Sequence, residues 1–150
     1  MNFPRQDFRK KDDRFPDRNP NPPAERVDWS TRVKSEWIKK EIDRDGINFT
    51  KDFGKFLANN RLTTSQIRNI YGELKRIQMK GYENEKTSFL LLLPKMAYAA
   101  QRNKNDGLNA LKLVFEKVHT YVADEKSYKN MMDLMESILA YHKAFGGRDN

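Results

Sequence analysis

The stretch LTTSQIRNIYGELKRIQMKG, residues 62–81, predicts an amphipathic helix. Thr63 is followed three residues later by Gln66, which is the spacing of a capping box that opens a helix. At about 100° per residue, one side of this helix is apolar. That side carries Ile67, Ile70, Leu74 and Ile77, with Tyr71 at its edge. Because an apolar side must be covered by other elements, the stretch indicates a packed helical bundle.

The opposite side of the same helix is basic. Arg68, Lys75 and Arg76 fall within an arc of about 100°, and Gly72 lies in the middle of that arc. A glycine inside a helix costs about 0.8–1 kcal/mol relative to alanine. We interpret Gly72 as room for a phosphate backbone to approach the three cations. The alternative is a solvated basic face with an incidental glycine.

The composition points to a polyanionic partner. The chain of 150 residues suits one domain, and its 29 Lys and Arg against 21 Asp and Glu leave a net charge of +8. This balance favours nucleic acid first and an acidic membrane second. The lack of cysteine excludes disulfides and thiolate metal sites and fits a reducing compartment. The N-terminal segment lacks the apolar stretch of a signal peptide. The longest apolar run, residues 89–93, is too short to span a bilayer. Binding to a membrane surface needs a helix with a free apolar face, and here the core requires those faces, so we expect no membrane partner.

Residues 1–28 differ in composition from the rest. They hold five of the six prolines and almost no aliphatic side chains, so they cannot bury enough surface to offset the entropy of ordering. We predict a disordered, proline-rich, charged tail over residues 1–28 and a helical nucleic-acid-binding domain over residues 29–150. The second part holds 22 basic and 15 acidic residues, and therefore most of the net charge. Phe3, Phe8 and Phe15 leave open the alternative that the tail is a docking arm.

The rest of the chain has the periodicity of helices and no sustained alternation typical of strands. Glycines at 46, 81, 107 and 146–147 mark the predicted links. We predict an all-α fold, a compact bundle of five to six short helices near residues 31–44, 49–59, 64–79, 87–102, 108–123 and 127–145. Pro94 predicts a kink in the fourth helix or the first turn of a new segment.

Catalytic and metal chemistry finds little support. Glu116 and His119 have the Glu-x-x-His spacing of di-iron bundles, but such a site needs that pair on two helices and carboxylates from two more. Phosphate-binding loops, dinucleotide fingerprints and nucleophile elbows are missing. We therefore predict no catalytic residue, no metal and no cofactor. A helical enzyme that uses Glu116, His119 and Glu136 is kept as an alternative.

Further cations lie around the third and fourth predicted helices. Lys95, Tyr98 and Arg102 share a face of the fourth, and a ring between cations suits single-stranded nucleic acid. The plainer expectation for Tyr98 is a half-buried ring with its hydroxyl at the surface. The predicted nucleic-acid-binding residues are Arg61, Arg68, Lys75, Arg76, Lys95, Arg102 and Lys104.

Three stretches together resemble one family. They are LTTSQIRNIYGELKRI (62–77), LLLPKMAYAAQR (91–102) and MESILAYHKAFGG (135–147). They are similar to the small subunit of the type III-A (Csm-type) CRISPR effector complex. The likeness covers residues 62–147, the first 60 residues carry little of it, and the proline-rich tail departs from it.

The resemblance implies a cytoplasmic, non-catalytic, all-helical subunit, several copies of which would stack beside the guide RNA and its target transcript. The implied partners are guide and target RNA or single-stranded DNA, other subunits of the Csm-type complex, and copies of itself. Arg68, Lys95 and Arg102 match positions in the family motifs. Such a protein would bind strand backbone and leave base reading to the guide. The alternatives are a free-standing helical DNA-binding protein and a protein-interaction adaptor.

Overall fold

The structure is a computed structural model that describes residues 27–148. Within this range there are six α-helices and no strand: α1 Ser35–Lys39, α2 Arg44–Asn59, α3 Thr64–Lys80, α4 Lys86–Asn103, α5 Asp106–His119 and α6 Glu125–Ala144. Two 3-10 turns, Trp29–Arg32 and Tyr82–Asn84, precede α1 and α4. The predicted all-α bundle is confirmed. The predicted tail and its three phenylalanines lie outside the described residues, apart from Val27 and Asp28.

The central element of the bundle is α6. It packs along α2 and also against α1 and α3, while α5 joins α2 to α4. The buried side chains of α6 come from more than one side of the helix, and they include Tyr128, Met131, Met132, Leu134, Met135 and Ile138. Because α3 packs mainly on α6 and only lightly on α4, one long side of α3 is left open to solvent.

The α2–α6 contact depends on a glycine inside a helix. A Cβ atom on Gly54 would lie 2.6 Å from the Cβ atom of Tyr141 and 2.9 Å from the backbone nitrogen of His142. Neither atom belongs to the flexible end of a side chain, so a larger residue would push the helices apart. Phe49 and Phe53 of α2 stack near this contact, with ring centroids 5.4 Å apart, and both are fully buried.

The first predicted helix, 31–44, is wrong. The 3-10 turn ends at Arg32, α1 has only five residues, and α2 begins at Arg44 instead of near residue 49. Asn130 of α6 explains the early end of α1, since its side-chain Nδ2 donates to the carbonyls of Ile38 at 2.9 Å and Lys40 at 2.8 Å. These are carbonyls that the end of a helix leaves without partners.

Asp43 explains the early start of α2. Its carboxylate accepts a hydrogen bond from the backbone nitrogen of Gly46 at 2.8 Å, as an N-cap residue does. Gly46 therefore lies in the first turn of α2, and the link that we predicted there is absent. Gly107 likewise lies in the first turn of α5.

Pro94 does not begin a new segment, because α4 continues through it from Lys86 to Asn103. Proline removes the hydrogen bond that its nitrogen would donate to the carbonyl four residues earlier. That residue is Leu90, and both Pro94 and Leu90 are exposed. The missing bond therefore falls on the solvent side of α4, where water can satisfy the carbonyl.

Candidate nucleic-acid interface

Positive charge is concentrated in the middle of the chain. Residues 61–104, which run from the turn before α3 to the turn after α4, hold nine Lys and Arg against three Asp and Glu. In the rest of the described chain, residues 27–60 and 105–148, the signs nearly balance, with 13 basic and 12 acidic residues. The side of the bundle built from α3 and α4 is therefore the candidate surface for a polyanion.

The sequence of α3 explains how this helix is held in place. The predicted capping box is present: the Thr63 hydroxyl accepts from the Gln66 nitrogen at 3.1 Å, and the Gln66 side chain accepts from the Thr63 nitrogen at 3.0 Å. The hydroxyl of Tyr128 on α6 donates to the Leu74 carbonyl at 2.6 Å. Fully buried apolar side chains complete the contact, and they are Ile67, Leu74 and Ile77.

The open side of α3 carries what we call the α3 ridge, formed by Arg68, Gly72 and Lys75. All three are exposed, and within residues 27–148 neither cation has an acidic partner. Lys75 Nζ donates to the neutral oxygen of Gln78 at 3.4 Å. A Cβ atom on Gly72 would meet nothing within 4 Å, so packing does not require a glycine there. The ridge is thus an open strip of backbone between two uncompensated cations.

Acidic side chains border one flank of the ridge. Tyr71 lies beside Arg68 and Lys75 on α3, since three or four residues separate neighbours on a helix face. Burial raises the pKa of Tyr71, and the negative charges of Glu136 and Asp133 on α6 raise it further. A polyanion would therefore approach the ridge from the flank away from α6.

Arg76, which we predicted on the same surface, is turned toward α4. It lies about 80–100° around the helix from the ridge cations. Its guanidinium pairs with Glu73 at 2.8 Å and with Glu85 at 3.3 Å. Hydrogen bonds from Arg76 first, and the charge of Lys95 to a smaller extent, lower the pKa of Glu73. We call these four residues the α3–α4 seam, and here the two cations face two carboxylates.

The remaining predicted cations lie where the turns before α3 and after α4 meet. The backbone nitrogen of Gly107 donates to the Asn60 carbonyl at 2.9 Å, and the Asn105 side chain donates to the Arg61 carbonyl at 3.4 Å. Gly107 is needed for this approach, because a Cβ atom there would lie 2.7 Å from the Asn60 carbonyl oxygen. The contact brings Arg61 and Lys104 to one end of the bundle.

Arg61 and Lys104 share an uncommon backbone conformation. Their φ angles are 73° and 50°, in the left-handed region that favours glycine or asparagine. Both side chains are exposed and have no ion pair in the part of the chain that the structure describes. Local backbone preference therefore does not explain a cation at either position. Residues in such conformations cluster at functional sites. We call Arg61, Arg102 and Lys104 the turn cluster.

The expectation of a half-buried Tyr98 is wrong, because this residue is 66% exposed. The Arg102 guanidinium lies over its ring at 5.7 Å from the centroid, a cation–π contact. On the same helix Leu90 and Leu91 are also exposed. The outer face of α4 therefore combines apolar groups with cations.

No helix of residues 27–148 is both long and apolar enough to cross a membrane.

His119 and Glu116, two residues of the alternative enzyme hypothesis, make contacts within the bundle. The ring of His119 is buried, stacks on Phe89 with centroids 3.8 Å apart, and donates from Nε2 to the Phe89 carbonyl at 2.9 Å. Glu116 points to Lys112, 4.0 Å away. Among the described residues, no group of three or more histidine and carboxylate side chains could hold a metal ion.

Sequence reasoning missed one cation near the ridge. Arg148 is brought to the first turn of α3, where its carbonyl accepts a hydrogen bond from the Thr64 nitrogen. The signal was the pair Gly146-Gly147, which we interpreted only as the end of the last helix.

Comparison with known proteins covers the same region. A family model described as Csm2 Type III-A matches residues 41–148. No curated protein and no solved structure matches the chain significantly. The family match extends the resemblance found in residues 62–147 back to the start of α2, and it ends at Arg148. The chain therefore belongs to the Csm2 type III-A family, the small subunit of the type III-A Csm complex.

Proposed function

We propose that this small subunit binds the backbone of guide or target RNA without sequence specificity and supplies no cleaving group. Copies of it stack along the RNA in the cytoplasm, beside the other subunits of the Csm complex. The observation that carries the proposal is the concentration of uncompensated positive charge between residues 61 and 104. An RNA strand offers the negative charge that this side of the bundle lacks.

The chemistry of the surface favours backbone binding over base reading. The cations of the ridge and the turn cluster stand on open surface, where they can pair with phosphates. Sequence reading in duplex DNA uses Arg and Lys side chains at guanine, and it uses Asn and Gln side chains at adenine. On α3 the side chain of Gln78 already accepts a hydrogen bond from Lys75. We therefore favour RNA backbone over a DNA major groove.

Tyr98 supports a single-stranded ligand in particular. An exposed ring backed by a guanidinium can stack on a base that is not buried in a duplex. Stacking tolerates every base, since each has a π face. Tyr98 and Arg102 would therefore add affinity without adding sequence preference.

The apolar part of α4 supports contact with a neighbouring protein. Leu90 is 58% exposed and Leu91 is 49% exposed, on a helix that packs inward through Phe89, Leu92 and Met96. Exposed apolar groups that lie next to each other often mark sites of protein association. We propose that this face contacts a second copy or another Csm subunit. The protein would then also act as the protein-interaction adaptor that we considered as an alternative.

The salt dependence of RNA binding tests the proposal. The full-length protein is titrated into a fluorescently labelled, unstructured single-stranded RNA at several salt concentrations. Three to five phosphate contacts give a slope of log K against log salt of about −2 to −3.5 on single strands. Two RNAs of unrelated sequence should bind alike, and duplex DNA should bind no more tightly. Tight binding at high salt, or strong preference for one sequence, contradicts the proposal.

A matched pair of variants tests the location of the surface. Arg68→Gln with Lys75→Gln removes the ridge cations and should reduce the salt slope by about 1.4, or two contacts. Stability should stay within about 0.5 kcal/mol, because both side chains are exposed. The control, Lys40→Gln with Lys51→Gln, removes the same charge from the residue after α1 and from α2. Equal RNA binding by the two variants would show that the ridge has no special part.

A further inference from the structure

After α6 the chain turns back across the bundle. The Gly147 nitrogen donates to the His142 carbonyl at 2.9 Å. The Gly147 carbonyl then accepts from the Thr64 hydroxyl at 3.3 Å, and the Arg148 carbonyl accepts from the Thr64 nitrogen. We call residues 146–148 the clasp. It ties the end of α6 to the first turn of α3 and satisfies one of the amide groups that a helix start leaves open.

The clasp needs its glycines. A Cβ atom on Gly147 would lie 2.1–2.7 Å from three atoms of the His142 ring. That ring cannot yield, because His142 is fully buried and its Nε2 donates to the Leu62 carbonyl at 2.6 Å. Gly146 has a φ of 90°, a conformation that side chains rarely adopt. Two glycines in succession therefore let the chain pass over a fixed imidazole.

The clasp delivers a cation to the basic side of the bundle. Arg148 is exposed and has no ion pair among the described residues. Its carbonyl is bound to Thr64, which lies three residues after Arg61 and one helical turn before Arg68. From Thr64 to Lys75, α3 extends about 16 Å at 1.5 Å per residue. The backbone of Arg148 therefore lies at the start of α3, close to Arg61 along the chain and one helical turn from Arg68.

We propose that Arg148 binds an RNA phosphate and that Gly147 and His142 are the positioning residues that hold it there. This inference rests on the proposed RNA-binding function and adds a contact from the far end of the chain. The contact is made by the guanidinium, since the Thr64 amide is already occupied by the Arg148 carbonyl. Arginine suits this task because its fork of donors matches phosphate oxygens.

The test uses full-length protein and the labelled single-stranded RNA. Removal of one phosphate contact by Arg148→Gln should reduce the salt slope by about 0.7 and weaken binding roughly five-fold at 0.1 M salt. Arg148→Lys keeps the charge and should recover most of the slope. The control is Lys117→Gln, an exposed cation at the far end of α5 from the turn cluster, and it should change neither quantity appreciably.

A second variant tests the positioning residues. Gly147→Ala keeps Arg148 but expels the clasp, so it should reduce the salt slope as much as Arg148→Gln does. It should also speed hydrogen exchange at the Thr64 amide, which Arg148→Gln should leave protected because the carbonyl is retained. If Gly147→Ala binds RNA normally while Thr64 exchanges faster, the positioning role is wrong.

The outcomes separate the two proposals. If the wild-type protein does not bind single-stranded RNA, the proposed function fails and the role of Arg148 fails with it. If the wild type binds and Arg148→Gln behaves like Lys117→Gln, only the role of Arg148 is overturned. Should Gly147→Ala prevent folding, the Arg148 and Lys117 variants still decide whether Arg148 contacts RNA, because both change exposed side chains.

Discussion

The α2–α6 contact and the α3 ridge each contain a glycine in the middle of a helix, and the surroundings of the two glycines are opposite. A Cβ atom on Gly54 would lie less than 3 Å from the Cβ atom of Tyr141 and from the backbone nitrogen of His142, whereas one on Gly72 would face open space. Each glycine costs its helix about 0.8–1 kcal/mol relative to alanine. Packing explains the first glycine. Nothing inside the described chain explains the second, so its cause lies in a ligand or in chance.

The same contrast holds for the side chains around the two glycines. Next to Gly54 the chain buries Phe53 and Leu57 completely, and the Thr50 hydroxyl meets Ser137 at 2.7 Å across the contact. Next to Gly72 it exposes Arg68 and Lys75. Changes in the α2–α6 contact should therefore alter stability, and changes on the ridge should alter binding.

The largest effect is expected from Gly54→Ala. The added methyl group must push α2 from α6, and overpacking of this kind costs about 1–3 kcal/mol. Urea denaturation monitored by circular dichroism would measure the free energy of unfolding, with Gly72→Ala as the matched control. If Gly54→Ala leaves the free energy of unfolding unchanged, the two helices can move apart without cost. Packing would then not explain Gly54.

A smaller effect of opposite sign is expected from Gly72→Ala. Alanine fits the helix at this open position, so the protein should gain about 0.4–1 kcal/mol of stability. If Gly72 leaves room for a phosphate, the same change should weaken binding of single-stranded RNA. The measurements are the unfolding curve and the RNA titration on one preparation. Gain of stability with unchanged RNA affinity would identify an incidental glycine on a solvated face.

The smallest effect is a loss of stability at low pH, which we expect from a buried histidine of the packed region and not from the cations of the ridge. Burial lowers the pKa of His119 below its ordinary value near 6.5, and the hydrogen bond with Phe89 opposes only part of that shift. Between the folded pKa and 6.5 the unfolded chain binds a proton that the folded chain refuses. Stability is therefore complete above pH 6.5 and falls as the pH is lowered through that window.

Proton NMR of the imidazole and the melting temperature at pH 7.5 and 5.5 check this prediction. The melting temperature of the His119→Gln variant should fall less between pH 7.5 and pH 5.5 than that of the wild type. Lysine and arginine side chains do not titrate in this range. A folded His119 that titrates at or above 6.5 would contradict the account of its buried ring.

Local sequence signals predicted α3 well. The Thr63–Gln66 capping box and the apolar side of the helix are both present, because cap and periodicity act within a few residues of each other. The same reasoning failed for the first predicted helix. Its end depends on Asn130, about 90 residues away in the chain, which binds the carbonyls of Ile38 and Lys40. No local pattern could report such a partner.

The candidate site was predicted residue by residue but not as an arrangement. A helical wheel grouped Arg68, Lys75 and Arg76, yet it could not show that Arg76 pairs with Glu85 beyond the end of α3. The exposure of Tyr98 was underestimated, because a wheel identifies a face without saying whether a neighbour covers it. Which predicted cations contact RNA stays a prediction.

The sequence by itself determined that this protein is an all-α bundle with an excess of positive charge between residues 61 and 104, and its motifs identified the family. These properties follow from periodicity, caps and composition, which act locally or sum over the chain. Only the tertiary structure decided that Gly54 holds two helices together while Gly72 stands open, and that the clasp brings Arg148 to Thr64. The physical reason is that close packing and ion pairing depend on atoms a few ångströms apart in space, whatever their separation along the chain.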